Sequence, residues 1–159
     1  MPLKLLLFVS AIACSCTTTS QTATTEKSRA SITNLGGSDW VFTADVALPQ
    51  SGRSRQISGG YEVTFSSAKL VVYLPYFGEA HAGADIYSGR GPLDFTSTDF
   101  TSATQTKKGE WDITIKPKDY KEVQSMDFTF YDNGNAHLNV TMLNHSAISF
   151  SGTVEQVKS

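Results

Sequence analysis

The sequence predicts an all-β domain, built as an antiparallel meander of about eight or nine strands. Apolar and polar residues alternate in most segments, as they do in strands that bury one face. The segments are short and most are separated by turn residues, which is typical of a small barrel or a sandwich. Thr and Ser are abundant while Leu and Glu are sparse, which favours strands over helices. We expect a barrel-like or half-closed sheet, with a two-sheet β-sandwich as the alternative.

The first half of the chain contains the densest apolar pattern. A strand is predicted over 40–48, with a buried face made of Trp40, Phe42, Ala44 and Val46. A hairpin follows, in which 61–66 alternates while 70–74 is apolar on both faces. We therefore expect that second strand of the hairpin to be covered on both sides. Pro75 lacks a backbone donor, so strand pairing should end there.

The second half of the chain is predicted to form a series of hairpins. One strand is expected over Leu93–Phe100, and Lys108-Gly109 should turn the chain between the next two. Asn133-Gly134 is the strongest turn signal, and it predicts a type I′ turn in which both central residues have a positive φ. The flanking strands should bury two sets of alternating residues. These are Trp111, Ile113, Ile115, Met126, Phe128, Phe130, Ala136, Leu138, Val140 and Met142.

The N-terminus reads as a targeting segment. Lys4 precedes Leu5–Ala13, an apolar run too short to span a bilayer as a helix. Small residues lead into Cys14. This resembles the lipobox of bacterial lipoproteins, in which the cysteine is acylated and becomes the mature N-terminus, so that residues 1–13 are the signal peptide. Cys16 is the alternative acceptor, and an ordinary secretory signal is the alternative for the whole segment. No Asp follows Cys14, so the resemblance implies an outer-membrane lipoprotein that faces the periplasm.

The remainder divides into two parts. Residues 14–37 form the lipidated N-terminus and a Thr/Ser-rich tether, in which Glu26–Leu35 offers a possible short helix. Residues 38–157 form a single β-domain. This domain has no cysteine, so neither a disulfide nor a thiolate metal site is expected within it. The formal net charge of −2 argues against nucleic acid as a partner.

Several fragments together resemble a known family. They are Trp40-Val41-Phe42, Tyr73-Leu74-Pro75-Tyr76-Phe77-Gly78, Asn133-Gly134 with Ala136, Leu138 and Val140, and Ile148-Ser149-Phe150-Ser151-Gly152. The chain resembles the domain-of-unknown-function family DUF 4251, small lipoproteins or exported proteins of Gram-negative bacteria. That family has no established activity. The resemblance therefore implies a fold and a location in the cell envelope, and it implies no catalytic residue.

The candidate site lies where aromatics crowd around Pro75. Tyr73, Tyr76 and Phe77 would form an aromatic rim that stacks on a ligand, or else the packed end of a strand that turns a corner. The glycine-rich segment that follows carries polar residues that would bind an anion or a metal, or simply face solvent. They are Glu79, His81, Asp85 and Arg90. Their spacing matches no metal motif, so we expect no metal and no cofactor.

No motif argues for catalysis. His137 is expected on the polar face of its strand and His145 in a turn, and neither has a serine or cysteine in a nucleophile-elbow context. We expect a non-enzymatic domain that binds a small apolar ligand or a partner protein. Its expected binding residues are Tyr73, Tyr76, Phe77, His81 and Arg90. The alternatives are a structural or envelope-assembly protein that docks a partner through a sheet edge, and a hydrolase acting on cell-envelope glycans.

Overall fold

The computed structural model describes residues 38–81 and 90–157, and ten β-strands form within these two ranges. In chain order they are β1 Trp40–Pro49, β2 Arg55–Gln56, β3 Glu62–Ser66, β4 Lys69–Tyr73, β5 Asp94–Ser97, β6 Phe100–Lys107, β7 Glu110–Pro117, β8 Val123–Tyr131, β9 Asn135–Met142 and β10 Ile148–Gln156. Within those ranges no residue is helical, so the all-β prediction is confirmed. The possible helix over 26–35, Cys14, Cys16 and Asp85 lie outside the described residues.

The strands form one antiparallel sheet that curls almost into a barrel. Its order is β5-β4-β3-β1-β10-β9-β8-β7-β6, and the two-residue β2 pairs with β1 beside this path. Because this is a single sheet, the two-sheet sandwich is excluded. The first strand pairs with the last from Trp40↔Gln156 to Pro49↔Ile148. The barrel therefore closes between the chain's first and last strands and opens in mid-chain, at an unpaired seam between β5 and β6.

A β-bulge in β1 corrects the predicted inner face of that strand. Ala44 pairs with Gly152 and Val46 pairs with Ser151, so Asp45 is an extra residue without a partner on β10. Beyond the extra residue, the inward position passes to Ala47, which is fully buried, whereas Val46 is half-buried. The prediction of Val46 as a core residue was wrong, because strict alternation does not survive an inserted residue.

The curvature of the sheet corrects the prediction for β4. Leu70 and Val72 are buried, but Tyr73 is 49% exposed on the other face. A strand in a barrel has one inner face and one outer face, so the expected burial on both sides was wrong.

The single strand expected over Leu93–Phe100 is in fact two strands. The chain bends at Thr98 and Asp99, after which Phe100 begins β6. The backbone N–H groups at the bend donate to the Asp119 carboxylate, at 2.9 Å from Thr98 and 3.2 Å from Asp99. These N–H groups therefore bond to a side chain and are not available to a continuing strand ladder.

The turn at Asn133-Gly134 exists but has a different form. Gly134 has φ +79°, while Asn133 does not have a positive φ. Three residues, 132–134, join β8 to β9, so the predicted two-residue type I′ turn was wrong. The Asn133 side chain instead accepts a hydrogen bond from the backbone N–H of Asn135 at 2.9 Å.

The barrel interior is filled by the alternating residues of the long strands. Within it Trp40 packs against three other aromatic rings, with ring centroids 4.9 Å from Phe128, 5.0 Å from Phe130 and 5.1 Å from Phe65. The buried faces predicted for β7, β8 and β9 are confirmed in full. The described ranges hold no apolar helix of the length that crossing a membrane requires.

Candidate functional site

The candidate site is a pocket at the free edge of β5, where the seam opens. Its volume is about 430 Å³, and we call it the seam pocket. Three segments bring its walls together: β5 with the residues just before it, the connection between β7 and β8, and the connection between β9 and β10. The lining residues are Arg90, Gly91, Pro92, Asp94, Phe95, Thr96, Tyr120, Glu122 and His145.

Asp119 holds the β7–β8 connection against the end of β5. Besides the two backbone N–H groups at the bend, its carboxylate accepts a hydrogen bond from the Ser97 hydroxyl at 2.5 Å. The Ser97 hydroxyl and these backbone groups hold the pKa of Asp119 below its ordinary value of 3.8, because they stabilise the charged form. One carboxylate thus joins two segments that no strand ladder connects.

A stacked aromatic pair forms the apolar wall of the pocket. The rings of Phe95 and Tyr120 are 4.1 Å apart and inclined by 10°. The Tyr120 hydroxyl donates to the Pro92 carbonyl at 3.0 Å, which fixes its ring over Phe95. The pocket therefore offers a rigid aromatic face next to its polar groups.

His145 is the polar centre of the pocket. It is only 8% exposed, and its Nδ1 lies 2.5 Å from Glu122 Oε1. Glu122 is an acceptor, so in the neutral ring Nδ1 carries the hydrogen and Nε2 carries a lone pair. Nε2 is the ring nitrogen that Glu122 does not contact, and His145 belongs to the lining of the seam pocket. The neutral His145 ring thus presents an oriented hydrogen-bond acceptor.

Tyr76 packs against the imidazole ring of His145. Its ring meets the imidazole edge-on, with centroids 5.1 Å apart and planes at 85°. The Tyr76 hydroxyl lies 2.8 Å from the backbone carbonyl oxygen of Ser146 and 3.0 Å from the backbone carbonyl oxygen of Glu79. Since a hydroxyl has one hydrogen, it donates to one of these oxygens at a time. Burial raises the pKa of Tyr76 above its ordinary 10.0, so the hydroxyl remains a donor at neutral pH. A Cβ at Gly78 would overlap this hydroxyl, which explains why glycine follows Tyr76-Phe77.

The other residues expected at the site are dispersed. Tyr73 lies on the outer face beside Tyr61, with ring centroids 5.3 Å apart. Phe77 packs against the core and under the Arg55 guanidinium, 4.8 Å from its ring. His81 is exposed, with Nε2 3.4 Å from the Ser146 hydroxyl. Among the expected residues, Arg90 lines the seam pocket and Tyr76 supports it from outside.

The central residues of the pocket were not predicted from the sequence. Glu122 and His145 are 23 residues apart and belong to two different connections, so no motif spacing joins them. A signal was nevertheless present in Tyr120, the one aromatic in an otherwise charged connection. Over the part of the chain that is described, no three His, Cys, Asp or Glu side chains converge as a metal site would require.

Comparison with known proteins establishes the family and goes no further. No curated protein matches the chain. Residues 21–154 match the family described as Domain of unknown function (DUF4251), which is most of the chain and agrees with the resemblance found in its fragments. The chain belongs to the domain-of-unknown-function family DUF4251.

Proposed function

We propose that the protein is a lipid-anchored cell-envelope protein whose β-domain binds a small ligand in the seam pocket without catalysing a reaction. Support for the anchor comes from the sequence: Lys4, the apolar run 5–13 and then Cys14, with Cys16 as the second candidate. Each buried CH₂ of an acyl chain adds about 0.8 kcal/mol, so two or three chains hold a protein firmly on a membrane. The absence of Asp after Cys14 favours the periplasmic side of an outer membrane.

The observation that carries the binding proposal is that His145, oriented by Glu122, lines the pocket together with the Phe95–Tyr120 stack. A pocket of a few hundred Å³ with an apolar wall and one oriented polar group has the character of a small-molecule site. The wall accepts a ring or a short apolar chain, and Nε2 accepts a hydrogen bond. The ligand is therefore a mainly apolar small molecule with one N–H or O–H donor.

Binding is favoured over catalysis by the state of the carboxylates. Glycan hydrolysis requires two carboxyl groups free to act as acid and as base or nucleophile. Glu122 and Asp94 line the pocket. Glu122 Oε1 is engaged by His145, however, and Oε2 lies 3.4 Å from the Asn144 side-chain nitrogen. A carboxylate used to orient a histidine is better placed to fix a binding group than to attack a sugar.

The test is native mass spectrometry of the protein purified from its own envelope. We expect a small molecule to accompany the wild type and to be lost from His145→Gln, which removes the oriented imidazole. His137→Gln is the matched control, because His137 lies on the outer face of the sheet and should retain the molecule. Circular dichroism checks that all three proteins are folded. A wild type that carries nothing, or a ligand unaffected by His145→Gln, would refute binding at this pocket.

The anchor is tested separately by labelling with a radioactive or clickable fatty acid. Cys14→Ala should abolish acylation and release the protein from membranes. Transfer of the label to Cys16 is examined with the double substitution Cys14→Ala/Cys16→Ala. Unchanged labelling in the double variant would contradict lipidation at either cysteine.

A second candidate function, docking of a partner protein through a sheet edge, is favoured by β6. Residues Thr101–Lys107 are all exposed, and the edge of β6 at the seam is unpaired. An extended peptide adds to such an edge through backbone hydrogen bonds. A photo-crosslinker at Thr104 should capture a partner in the envelope, while one at Thr153, on a fully paired strand, should not. Equal capture at both positions would exclude the edge as the docking site.

A further inference from the structure

A second depression, separate from the seam pocket, lies on the outer face of the sheet. It has a volume of about 440 Å³ and is bordered by β1, β8, β9 and β10; we call it the outer groove. We propose that the outer groove binds sugar rings of a neutral glycan chain. The residues that carry this inference are Asp45, Tyr131, Asn135, His137, Ser151 and Thr153.

The groove arises from the bulge in β1 and from a close approach between β1 and β10. Asp45 is the extra residue of the bulge and lines the groove with Val46. Opposite Ala44, a Cβ at Gly152 would overlap the Thr43 carbonyl oxygen, so β10 can approach β1 only because Gly152 has no side chain. Gly152 and Ala136 also border the groove. Gly152 has no side chain and Ala136 is buried, so neither adds bulk to the outer face.

Two cross-strand pairs supply hydrogen-bonding groups. Ser151 is opposite His137, with 3.3 Å between Ser151 Oγ and His137 Nδ1. Thr153 is opposite Asn135 in the same ladder. The two pairs are two residues apart along the strands, about 7 Å, so they face the same side of the sheet. Hydroxyl, amide and neutral imidazole groups each donate and accept, as sugar hydroxyls do.

The charge of the groove favours a neutral glycan. Among the residues that the structure describes, no Lys or Arg belongs to its lining, so that lining offers no cation to phosphate, sulfate or an acidic sugar. Asp45 contributes a carboxylate, and it is exposed. A carboxylate has two oxygens and accepts hydrogen bonds from two neighbouring sugar hydroxyls. Backbone pairing by a peptide is excluded at this place, because β9 and β10 are paired on both edges.

Tyr131 supplies the flat apolar surface that a sugar ring requires. It is 39% exposed and lies at the end of β8, beside the groove. One face of a pyranose ring is lined with C–H groups, and an aromatic ring packs against that face while the tyrosine hydroxyl stays in water. The Tyr131 ring next to Asp45, Asn135 and His137 therefore gives the combination of apolar surface and hydrogen-bonding groups that fits a sugar.

The test is NMR titration of the full-length chain in a zwitterionic detergent. Detergents with sugar headgroups are avoided because they would compete for the groove. The probes are chitotetraose, a β-linked N-acetylglucosamine tetramer, and maltotetraose, an α-linked glucose tetramer. We expect at least one of them to shift the backbone amide signals of Asn135, His137, Ser151 and Thr153. Which of the two binds identifies the class of glycan.

Variants locate the binding. Tyr131→Ala should weaken the affinity about tenfold, because the stacking surface is lost. Tyr73→Ala is the matched control, since it removes an exposed tyrosine outside the groove and should leave the affinity unchanged. His145→Gln should also have no effect, which separates this site from the seam pocket. Absence of shifts with both tetramers up to about 10 mM, or equal loss in Tyr73→Ala, would overturn the proposal.

Discussion

The wall of the barrel and its seam are held together by different forces. We define the wall as β1 with β7, β8, β9 and β10. Each of these strands is paired on both sides, by adjacent strands of the wall or by β3 and β6. Its inner residues interdigitate around Trp40. At the seam the strands β5 and β6 have unpaired edges, and side chains close the gap: the Asp119 carboxylate, the Phe95–Tyr120 stack, and Phe65 against Phe100 at 5.7 Å.

This contrast explains why the wall acts as the frame of the domain while the seam contains the candidate binding pocket. Backbone ladders use up the polar groups of the wall's main chain, which makes the wall a stable frame. A seam closed by side chains leaves room between segments, and His145 lines that room. Four predictions test this comparison, from the largest expected effect to the smallest.

Phe128→Ala should cause the largest loss of stability. Phe128 is buried in the wall against Trp40 and Phe42, and removing such a ring costs about 4 kcal/mol. The seam counterpart is Phe100→Ala, which should cost about 1–2 kcal/mol because Phe100 is only partly buried. Urea denaturation measures both free energies of unfolding. Equal losses would mean that the seam contributes as much to stability as the wall.

Gly152→Ala should destabilise the wall by about 3 kcal/mol, because the new Cβ overlaps the backbone of β1, which is itself held in a ladder. Gly91→Ala is the control at the seam: no atom lies within 4 Å of the added Cβ, and the change should be within about 0.5 kcal/mol. The same denaturation experiment compares the two. If Gly152→Ala unfolds at the same urea concentration as the wild type, then β1 and β10 can move apart at no cost in stability.

Gly134→Ala should cost about 1.5 kcal/mol, because φ +79° is unfavourable for a residue with a Cβ. Asn133→Ala should cost about 0.5 kcal/mol, the worth of one exposed hydrogen bond to Asn135. Thermal unfolding of the two variants distinguishes the three-residue loop from a type I′ turn. If the turn were type I′, alanine would be as costly at position 133 as at 134.

Asp119→Asn should have the smallest effect, and the effect should depend on pH. The folded state lowers the pKa of Asp119, so its contribution to stability is fully present above the ordinary value of 3.8. It is lost as the pH falls through the lower folded value. We therefore expect a lower Tm than wild type at about pH 7 and little difference at about pH 2.

The control for this substitution is Asp99→Asn. The Asp99 side chain forms an exposed ion pair with Lys118, 3.4 Å apart, and such pairs contribute little to stability. Its Tm should match that of the wild type at both pH values. If the Tm of Asp119→Asn is as far below that of the wild type at about pH 2 as at about pH 7, the carboxylate charge of Asp119 does not stabilise the seam.

Much of the wall could be predicted because its signal is local. In β8, Met126, Phe128 and Phe130 alternate with polar residues, and a period of two dictates which side chains are inside. Prediction failed where a single residue interrupts that period. Asp45 shifted the inner face of β1 from Val46 to Ala47, and nothing in the local pattern announces a bulge.

The candidate site was the least predictable part. Tyr76 was identified because aromatics crowd around Pro75, yet its role is to support a histidine 69 residues later in the chain. Glu122 and His145 gave no signal, because one lies in a charged connection and the other in a turn. These two side chains come into contact only because the β7–β8 and β9–β10 connections and the residues before β5 pack together in the folded protein.

Local sequence patterns were sufficient to predict the fold class, the buried faces of β7, β8 and β9, and the family, because alternation and turn residues act over a few positions. Tertiary structure alone decided that β1 closes on β10, that the sheet opens between β5 and β6, and that Glu122 orients His145 in the opening. These features depend on contacts between residues far apart in the chain. The free energy of such contacts comes from the packed barrel as a whole, which no short stretch of sequence encodes.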